Sequence, residues 1–237
     1  MKKISVCMAT FNGENYIHEQ IKSILNQLSP IDELIISDDH STDKTIAIVK
    51  SFNDERIKIV FNKNAKGSSG NFENAIEYAC GEFIFLSDQD DIWVDGKVNK
   101  MLCMLNHVEL VVSNAQFVDK DLKPSSETYF SLRGGKKGFI NNIYYLRYLG
   151  ACMAFKREIL RKLLPFPKDH VLCPHDMWIA LIAEFYFKVD VIAEPLILYR
   201  RHETNVSDGG RKSGNSIFKM ILFRLYAMSM LLTRMLK

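Results

Sequence analysis

The chain has 237 residues, of which 47% are hydrophobic and 25% are charged. This composition is typical of a globular protein, and it excludes disordered, collagen-like and disulfide-stapled chains. The 31 Lys and Arg residues only slightly exceed the 28 Asp and Glu residues, which gives a net charge of +3. So small a surplus argues against a dedicated nucleic-acid-binding protein.

The cysteine pattern and the N-terminal residues predict a cytoplasmic protein. The five cysteines are scattered without CxxC spacing, so they indicate neither a zinc site nor a redox motif. Lys2 and Lys3 precede an apolar stretch that ends at Thr10, which is too short for the apolar region of a signal peptide. The sequence also lacks a run of roughly 18 uncharged apolar residues, as a membrane-spanning helix requires.

The first half of the chain alternates between apolar strands and amphipathic helices. Strand-like runs occupy residues 4–9, 33–37, 57–61 and 83–86, and helical patterns occupy 17–28, 44–52 and 72–79. This alternation predicts βαβ units and a largely parallel sheet in an α/β domain.

The second half is less regular. The pattern predicts strands at 109–117, 151–155 and 191–199, helices at 139–149, 156–164 and 177–187, and a polar loop at 119–138. Pro195 is expected to interrupt the last strand. A final helix is predicted from Ser216 onward.

Polar segments follow the predicted strands of the first half, at residues 10–12, 38–39, 62–70 and 88–91. Ligands of open α/β sheets bind at the carboxyl ends of the strands, so these segments are expected to converge on one site. The arrangement favours a nucleotide as the ligand. The sequence has neither a P-loop nor a GxGxxG motif, which removes the main support for an ATPase or a dinucleotide-binding protein.

An acidic cluster follows the fourth predicted strand, where Asp88, Asp90 and Asp91 lie close together. Mutual repulsion makes such a cluster unfavourable unless a cation offsets it. Mg²⁺ and Mn²⁺ are usually held by carboxylates together with phosphate oxygens, so the cluster predicts a metal–diphosphate site. The alternative is a solvated acidic turn that caps the next helix.

These segments resemble the family-2 glycosyltransferases of the GT-A fold. The matching residues are 5–13, 37–45, 85–93, 150–154, 175–178 and 198–206. The later segments are similar to the rhamnosyltransferase-like branch that builds bacterial surface polysaccharides. The resemblance implies a Rossmann-like, mainly parallel sheet flanked by helices. Residues 1–115 would form the nucleotide-sugar-binding half and 116–206 the acceptor-binding and catalytic half, followed by a loop and an amphipathic helix at 207–237.

The resemblance also implies roles for single residues on the donor side. Thr10 and Asn12 would line the nucleotide pocket, and Asp39 would accept a hydrogen bond from N3–H of a uracil or thymine ring. Asp88 would face the ribose or the sugar. Asp90 would be the main metal ligand, with Asp91 in support.

On the acceptor side, the resemblance makes Asp176 the catalytic base. His175 stands where the family usually has an acidic residue, and it either orients the acceptor or simply begins a helix. Trp178 is expected to lie near the acceptor, where it could stack on a sugar face, or else to belong to the core.

Basic residues after the last strand resemble those that close over the diphosphate in this family. Arg200 and Arg201 are predicted to contact the diphosphate, and His202 to bind the metal or the diphosphate. Lys66, in the polar loop at 62–70, is a further candidate for phosphate binding. For residues 200–202 the alternative is a basic surface turn.

The C-terminal segment is both basic and apolar. Six Lys and Arg residues follow Asp208, and no acidic residue does. A helical wheel places Lys219, Arg224, Arg234 and Lys237 on one arc, opposite the apolar residues Ile217, Ile221, Leu225, Met228, Leu232 and Met235. Such a helix suits either an anionic membrane surface or packing against the domain or a second subunit.

Taken together, the residues and the resemblance predict an inverting, metal-dependent glycosyltransferase. With Mn²⁺ or Mg²⁺ it would move a sugar from a UDP- or dTDP-linked donor, such as dTDP-L-rhamnose, to a lipid-linked bacterial glycan. It would act in the cytoplasm or at the inner face of the cell membrane, without a nucleic-acid partner. Two alternatives are a sugar nucleotidyltransferase, which would require a Gly-rich basic loop after the first strand, and an inactive sugar-binding scaffold.

Overall fold

A computed structural model describes residues 3–201 and 217–235. The strands are β1 (Ile4–Thr10), β2 (Glu33–Asp38), β3 (Ile57–Phe61), β4 (Phe83–Ser87), β5 (Ile92–Trp93), β6 (Leu110–Val118), β7 (Pro124–Thr128), β8 (Met153–Lys156) and β9 (Val189–Arg200). The helices are α1 (Ile17–Leu25), α2 (Thr45–Ser51), α3 (Ser68–Tyr78), α4 (Lys97–Leu105), α5 (Tyr129–Arg133), α6 (Phe139–Tyr144), α7 (Leu160–Leu163), α8 (His175–Tyr186) and α9 (Ile217–Met235).

Within these residues the strands form one sheet in the order β3-β2-β1-β4-β8-β6-β9-β5, with β7 paired to β6. The pairs β1–β2, β2–β3 and β1–β4 are parallel, as the alternation of strands and helices predicts. β8 pairs antiparallel with both β4 and β6, whereas β6 and β9 are parallel. The sheet is therefore parallel in its N-terminal part and mixed beyond β4.

The central strands β1, β2 and β4 are almost entirely buried, which explains their apolar runs. Each of them ends in a polar residue, namely Thr10, Asp38 and Ser87. Ile17 and Ile21 of α1 are fully buried and recur at helical spacing. The core thus fixes these strands so that their polar ends share one edge of the sheet.

The region predicted as a polar loop, residues 119–138, contains β7 and α5. Thr128 Oγ1 accepts a hydrogen bond from the Ser131 amide at 3.2 Å, and Ser131 Oγ accepts one from the Thr128 amide at 2.9 Å. This reciprocal capping box begins α5, and Gly134, with φ of 84°, follows its end. The polar residues that suggest a loop are those that cap a short helix.

Three other elements differ from the sequence prediction. The sequence patterns did not predict α4, which the structure contains. The helix predicted at 139–149 ends at Tyr144 in the structure. Pro195 does not interrupt β9, which continues to Arg200. The pairing of β9 with β6 changes register around Asn114, opposite Pro195, and such an irregularity accommodates a residue without an N–H group.

α9 packs against the domain, where it contacts α8 and buries Ala227 and Leu231. Arg224 donates hydrogen bonds to the carbonyl oxygens of Ile143 and Tyr144. Arg234 donates to a third backbone carbonyl, that of residue 165. Of the two predicted alternatives, packing on the domain is therefore observed, and it uses the side of the helix that carries these arginines.

The apolar side of α9 faces outward instead. Ile221, Leu225, Leu232 and Met235 are exposed by 47, 64, 54 and 52%. Among residues 3–201 and 217–235, no helix combines the length and apolar composition that would let it cross a membrane.

Candidate functional site

A buried carboxylate joins the carboxyl ends of β1 and β2. Asp38 accepts hydrogen bonds from the Thr10 hydroxyl at 3.1 Å and from the Ser41 amide and hydroxyl at 2.7 and 2.6 Å. Thr10 is only 1% exposed. Its side chain therefore belongs to this internal network, and its place beside the nucleotide stays a prediction.

Asp39 and Asn12 lie at the same edge and connect its loops. The half-buried Asp39 carboxylate accepts hydrogen bonds from Asn62 Nδ2 and from the Gly67 amide, both at 2.8 Å. Asn12, with φ of 48°, is exposed, and its Oδ1 accepts a hydrogen bond from the Thr42 amide at 2.9 Å. Both residues therefore hold loops in place and are also accessible to solvent.

Gln89 links the acidic segment to the loop after β1. Its Oε1 accepts a hydrogen bond from the Phe11 amide and its Nε2 donates to the Phe11 carbonyl, both at 2.9 Å. A Cβ atom at Gly13 would lie 2.4 Å from Gln89 Oε1, so this contact requires glycine. From α1, Gln20 Nε2 donates to the Ser87 hydroxyl at 2.7 Å. The acidic segment is thus fixed to two neighbouring elements.

The carboxylates of the acidic segment have different surroundings. Asp91 is 1% exposed, and its Oδ1 accepts a hydrogen bond from the Arg200 amide at 3.2 Å. Its Oδ2 is buried without a hydrogen-bond partner in the described part of the chain. Asp88 and Asp90 are partly exposed. The Asp91 carboxylate is thus enclosed by protein, and its supporting role at the metal stays a prediction.

The electrostatics of this segment disfavour negative charge. Burial, together with repulsion from Asp90 and Asp176, raises the pKa of Asp88 to about 7. Burial and repulsion from Asp90 and Asp88 hold the pKa of Asp91 well above its usual range, and the Arg200 amide hydrogen bond and Lys97 partly offset this rise. A bound cation would relieve this repulsion. Among the residues that the structure describes, no three His, Cys, Asp or Glu side chains are grouped to hold a metal by themselves.

Arg200 is predicted to contact the diphosphate, but the protein itself holds its guanidinium. The side chain is 4% exposed and donates hydrogen bonds to Glu19 Oε2 at 2.6 Å and to the carbonyl oxygens of Lys120 and Asp90 at 2.9 and 3.1 Å. The guanidinium also lies 4.8 Å from the centroid of the Tyr16 ring. Arg200 therefore anchors the acidic segment, and its contact with the diphosphate stays a prediction.

α8 begins with His175 and Asp176. The His175 ring lies 4.4 Å from the Phe72 ring, and its amide donates to the Ser69 hydroxyl at 3.0 Å. A Cβ atom at Gly150 would lie 2.6 Å from His175 Nε2, so the tight packing requires glycine there. Burial lowers the pKa of His175. His175 thus fixes the start of α8 and places Asp176 in its first turn, where the helix dipole favours a carboxylate.

The other predicted residues are Trp178, Arg201, Lys66 and His202. Trp178 is 1% exposed and its indole N–H donates to a backbone carbonyl at 2.8 Å, so it belongs to the core and does not face an acceptor. The Arg201 guanidinium lies 3.7 Å from the centroid of the Phe117 ring. Lys66 is exposed in the loop before α3. His202 lies outside the described residues.

Sequence reasoning missed three residues that help to build the site. Gln89 lies inside the acidic motif, and its position between carboxylates is a signal that could have identified it. Asn71, on α3, donates a hydrogen bond from its Nδ2 to the Thr10 carbonyl oxygen at 3.0 Å. Lys97, the first residue of α4, is completely buried. Neither of these two has a local sequence signal, because each acts across separate elements of the fold.

The fold and the motifs define the class of protein. The model of the family "Glycosyl transferase family 2" matches residues 5–164. The chain therefore belongs to glycosyl transferase family 2, and the resemblance inferred from its motifs is confirmed.

Two curated relatives indicate the range of this likeness. The dTDP-rhamnosyl transferase RfbG of Shigella flexneri is 31% identical over 224 residues, which cover 84% of this chain and 72% of RfbG. The UDP-Glc:alpha-D-GlcNAc-diphosphoundecaprenol beta-1,3-glucosyltransferase WfgD of Escherichia coli is 35% identical over 137 residues, or 54% of each chain. The chain thus spans about half the length of WfgD.

Solved structures confirm the GT-A fold. S. aureus TarS 1–349 in complex with UDP-GlcNAc superposes with a TM-score of 0.73 and 20% identity, covering 95% of this chain and 66% of TarS 1–349. The mannosyltransferase PcManGT from Pyrobaculum calidifontis, in complex with GDP-Man and Mn²⁺, gives a TM-score of 0.61 and 20% identity, covering 99% and 74%. At this identity the likeness concerns the fold alone.

We expect Arg200→Met to lower the free energy of unfolding by about 3 kcal/mol, because it leaves buried carbonyl oxygens without donors. Urea unfolding measures this loss. Glu19→Gln is the matched control: the Glu19 side chain is 52% exposed, so its loss should cost less than about 1 kcal/mol. An Arg200→Met protein of unchanged stability that no longer binds nucleotide would favour the diphosphate role instead.

Proposed function

We propose that the chain is an inverting, metal-dependent glycosyltransferase that moves a sugar from a UDP- or dTDP-linked donor to a lipid-linked bacterial glycan. The observation that carries this proposal is the gathering of carboxylates at one edge of the sheet. Asp39 follows β2, Asp88 and Asp90 follow β4, and Asp176 begins α8. The mutual repulsion of Asp88 and Asp176 supports their placement in one site.

In the proposed complex, the pyrimidine base lies against Asp39. Uracil and thymine both present an N3–H group, and a carboxylate oxygen can accept this bond in addition to those from Asn62 and Gly67. Lys66 is exposed one residue before Gly67 and would reach toward the phosphates. The names of WfgD and RfbG, which state a UDP-glucose and a dTDP-rhamnosyl donor, support this donor class and keep dTDP-L-rhamnose among the proposed donors.

Asp90 and Asp88 would hold the divalent cation together with the donor diphosphate. One or two carboxylates with phosphate oxygens form the usual environment of Mg²⁺, so these residues fit the metal. The raised pKa of Asp88 supports the assignment, because it indicates a surplus of negative charge. When bound, the metal would act as a Lewis acid that stabilises the departing diphosphate. His202 stays a predicted further ligand.

Asp176 would take the proton of the acceptor hydroxyl as this oxygen attacks the anomeric carbon. The bond from that carbon to the diphosphate breaks in the same displacement, so the configuration inverts. The first turn of α8 stabilises a carboxylate in this position, and the packing of His175 restricts its movement.

Slow donor hydrolysis without an acceptor tests the proposal and identifies the donor. With Mn²⁺, we expect turnover of a UDP- or dTDP-sugar that EDTA abolishes, and Asp90→Asn should abolish it as well. Asp95→Asn, at an exposed position just beyond the motif, is the matched control and should keep full activity. Full activity in EDTA would refute metal dependence, and turnover of purine-linked donors alone would refute the donor class.

The role of Asp176 makes a separate prediction. Asp176→Asn should lower kcat by about 10²–10⁴, the usual contribution of a positioned base, while UDP or dTDP binding stays largely intact. Steady-state kinetics and calorimetric binding separate the two effects. A parallel loss of nucleotide affinity would indicate a binding role rather than a base.

We also propose that the outward side of α9 rests on the membrane that carries the acceptor. Its exposed residues Ile221, Leu225, Leu232 and Met235 form an apolar stripe, and Lys219 is exposed near its start. An apolar stripe on a helix with basic but no acidic residues suits an anionic lipid surface. The diphosphoundecaprenol acceptor in the name of WfgD supports this placement.

Substitution within the stripe tests this placement without removing the helix. Leu225→Glu with Leu232→Glu should reduce binding to anionic vesicles at least tenfold in a flotation assay and spare turnover of a short soluble acceptor. Ile31→Glu, at a position 55% exposed elsewhere on the surface, is the control and should bind as the wild type does. Unchanged vesicle binding by the double variant would exclude the stripe as the membrane contact.

A further inference from the structure

Ser69 is a buried serine of α3 for which the proposed reaction provides no role. It is the second residue of the helix, and it is 4% exposed. Its hydroxyl oxygen accepts a hydrogen bond from the His175 amide at 3.0 Å, and the same oxygen lies 3.4 Å from Nδ1 of the His175 ring. A hydroxyl group can accept one hydrogen bond and donate another at the same time. Ser69 therefore contacts His175 at both its backbone and its side chain.

The start of α8 depends on this hydroxyl. His175 is the first residue of α8, and the first amides of a helix have no acceptor within the helix. The residue before a helix often supplies a side-chain oxygen, but here that residue is Pro174, which has none. Ser69, 106 residues away along the chain, supplies the acceptor instead. Phe72 packs on the His175 ring, so α3 holds the beginning of α8 at two points.

Ser69 is also close to the loop that Asp39 holds. The Asp39 carboxylate accepts a hydrogen bond at 2.8 Å from the amide of Gly67, the residue that immediately precedes α3. A Cβ atom at Gly70 would lie 1.9 Å from the Ala65 carbonyl oxygen, so this loop folds tightly onto the first turn of α3. Because Ser69 lies in that turn, one short segment joins the residue proposed to bind the pyrimidine to the start of α8.

We propose that Ser69 is a positioning residue: its hydroxyl ties the start of α8 to the loop held by Asp39, and so keeps the Asp176 carboxylate in place relative to the bound donor. The tie between α3 and α8 is independent of the reaction. Its consequence for the rate rests on the function proposed above.

Hydrogen–deuterium exchange tests the tie by itself. Ser69→Ala removes the acceptor of the His175 amide, so we expect the amides at the start of α8 to exchange at least about fivefold faster, while those of α1 keep their rates. Ser51→Ala is the matched control, because the Ser51 hydroxyl is exposed and donates to a carbonyl oxygen of its own helix, α2. This control should leave exchange at α8 as in the wild type. Unchanged exchange at the start of α8 in Ser69→Ala would overturn the tie.

Kinetics in two backgrounds test the positioning role. In the otherwise wild-type chain, Ser69→Ala should lower kcat about tenfold, whereas the calorimetric affinity for UDP or dTDP with Mn²⁺ should change less than about threefold. In a chain that carries Asp176→Asn, the same substitution should change kcat less than about twofold, because the group that it positions is already lost. Ser51→Ala should leave kcat unchanged in both backgrounds. A serine that only stabilised the fold would lower activity by the same factor in both.

Each outcome decides the proposal. Wild-type kcat in Ser69→Ala, an equal loss in both backgrounds, or a parallel loss of nucleotide affinity would overturn the positioning role. Failure of Ser69→Ala to fold would make Ser69 a structural residue and would also overturn it. If the wild type turns over no nucleotide-sugar, or if Asp176→Asn keeps full activity, the proposed function fails and the positioning role with it, while the exchange measurement still decides the tie.

Discussion

The accumulation of negative charge at the end of a buried strand is the constraint on which the site depends. Three carboxylates, those of Asp88, Asp90 and Asp91, follow β4 at the edge of the sheet, where burial already disfavours negative charge on Asp88 and Asp91. Their side chains differ in exposure to solvent. Asp91 is enclosed by protein, whereas Asp88 and Asp90 stay partly exposed.

This separation depends on neutral and cationic groups from several elements. Gln89 bonds both polar groups of the Phe11 backbone, and Arg200 crosses from β9 to bind the Asp90 carbonyl and Glu19 of α1. The Arg200 guanidinium thus holds the acidic segment and α1 together through its hydrogen bonds. Polar residues close to a charged site therefore divide into those that face a ligand and those that hold the loops.

Close packing at two glycines positions the start of α8 and the side chain of Gln89. His175 fits against Phe72 only because position 150 carries no Cβ, and Gln89 reaches Phe11 only because position 13 carries none. These glycines are required by the approach of a side chain from another element rather than by an unusual backbone angle. The start of α8, which carries Asp176, and the acidic segment are thereby held by packing contacts with other elements of the fold.

The sequence by itself determined the parallel α/β core, the family and the clustering of carboxylates at one edge. Apolar runs that end in polar residues encode these features locally, and the order of strands and helices fixes the edge at which they meet. The capped helix α5 and the unbroken β9 escaped prediction because capping polar residues and prolines at irregular pairings look like loop residues. Only the tertiary structure decided that Thr10, Asp91 and Arg200 face inward, that Trp178 is core, and that α9 docks through its arginines. The direction of a side chain at the end of a strand depends on partners far away in the chain, such as Glu19, 181 residues from Arg200, and no local pattern records them.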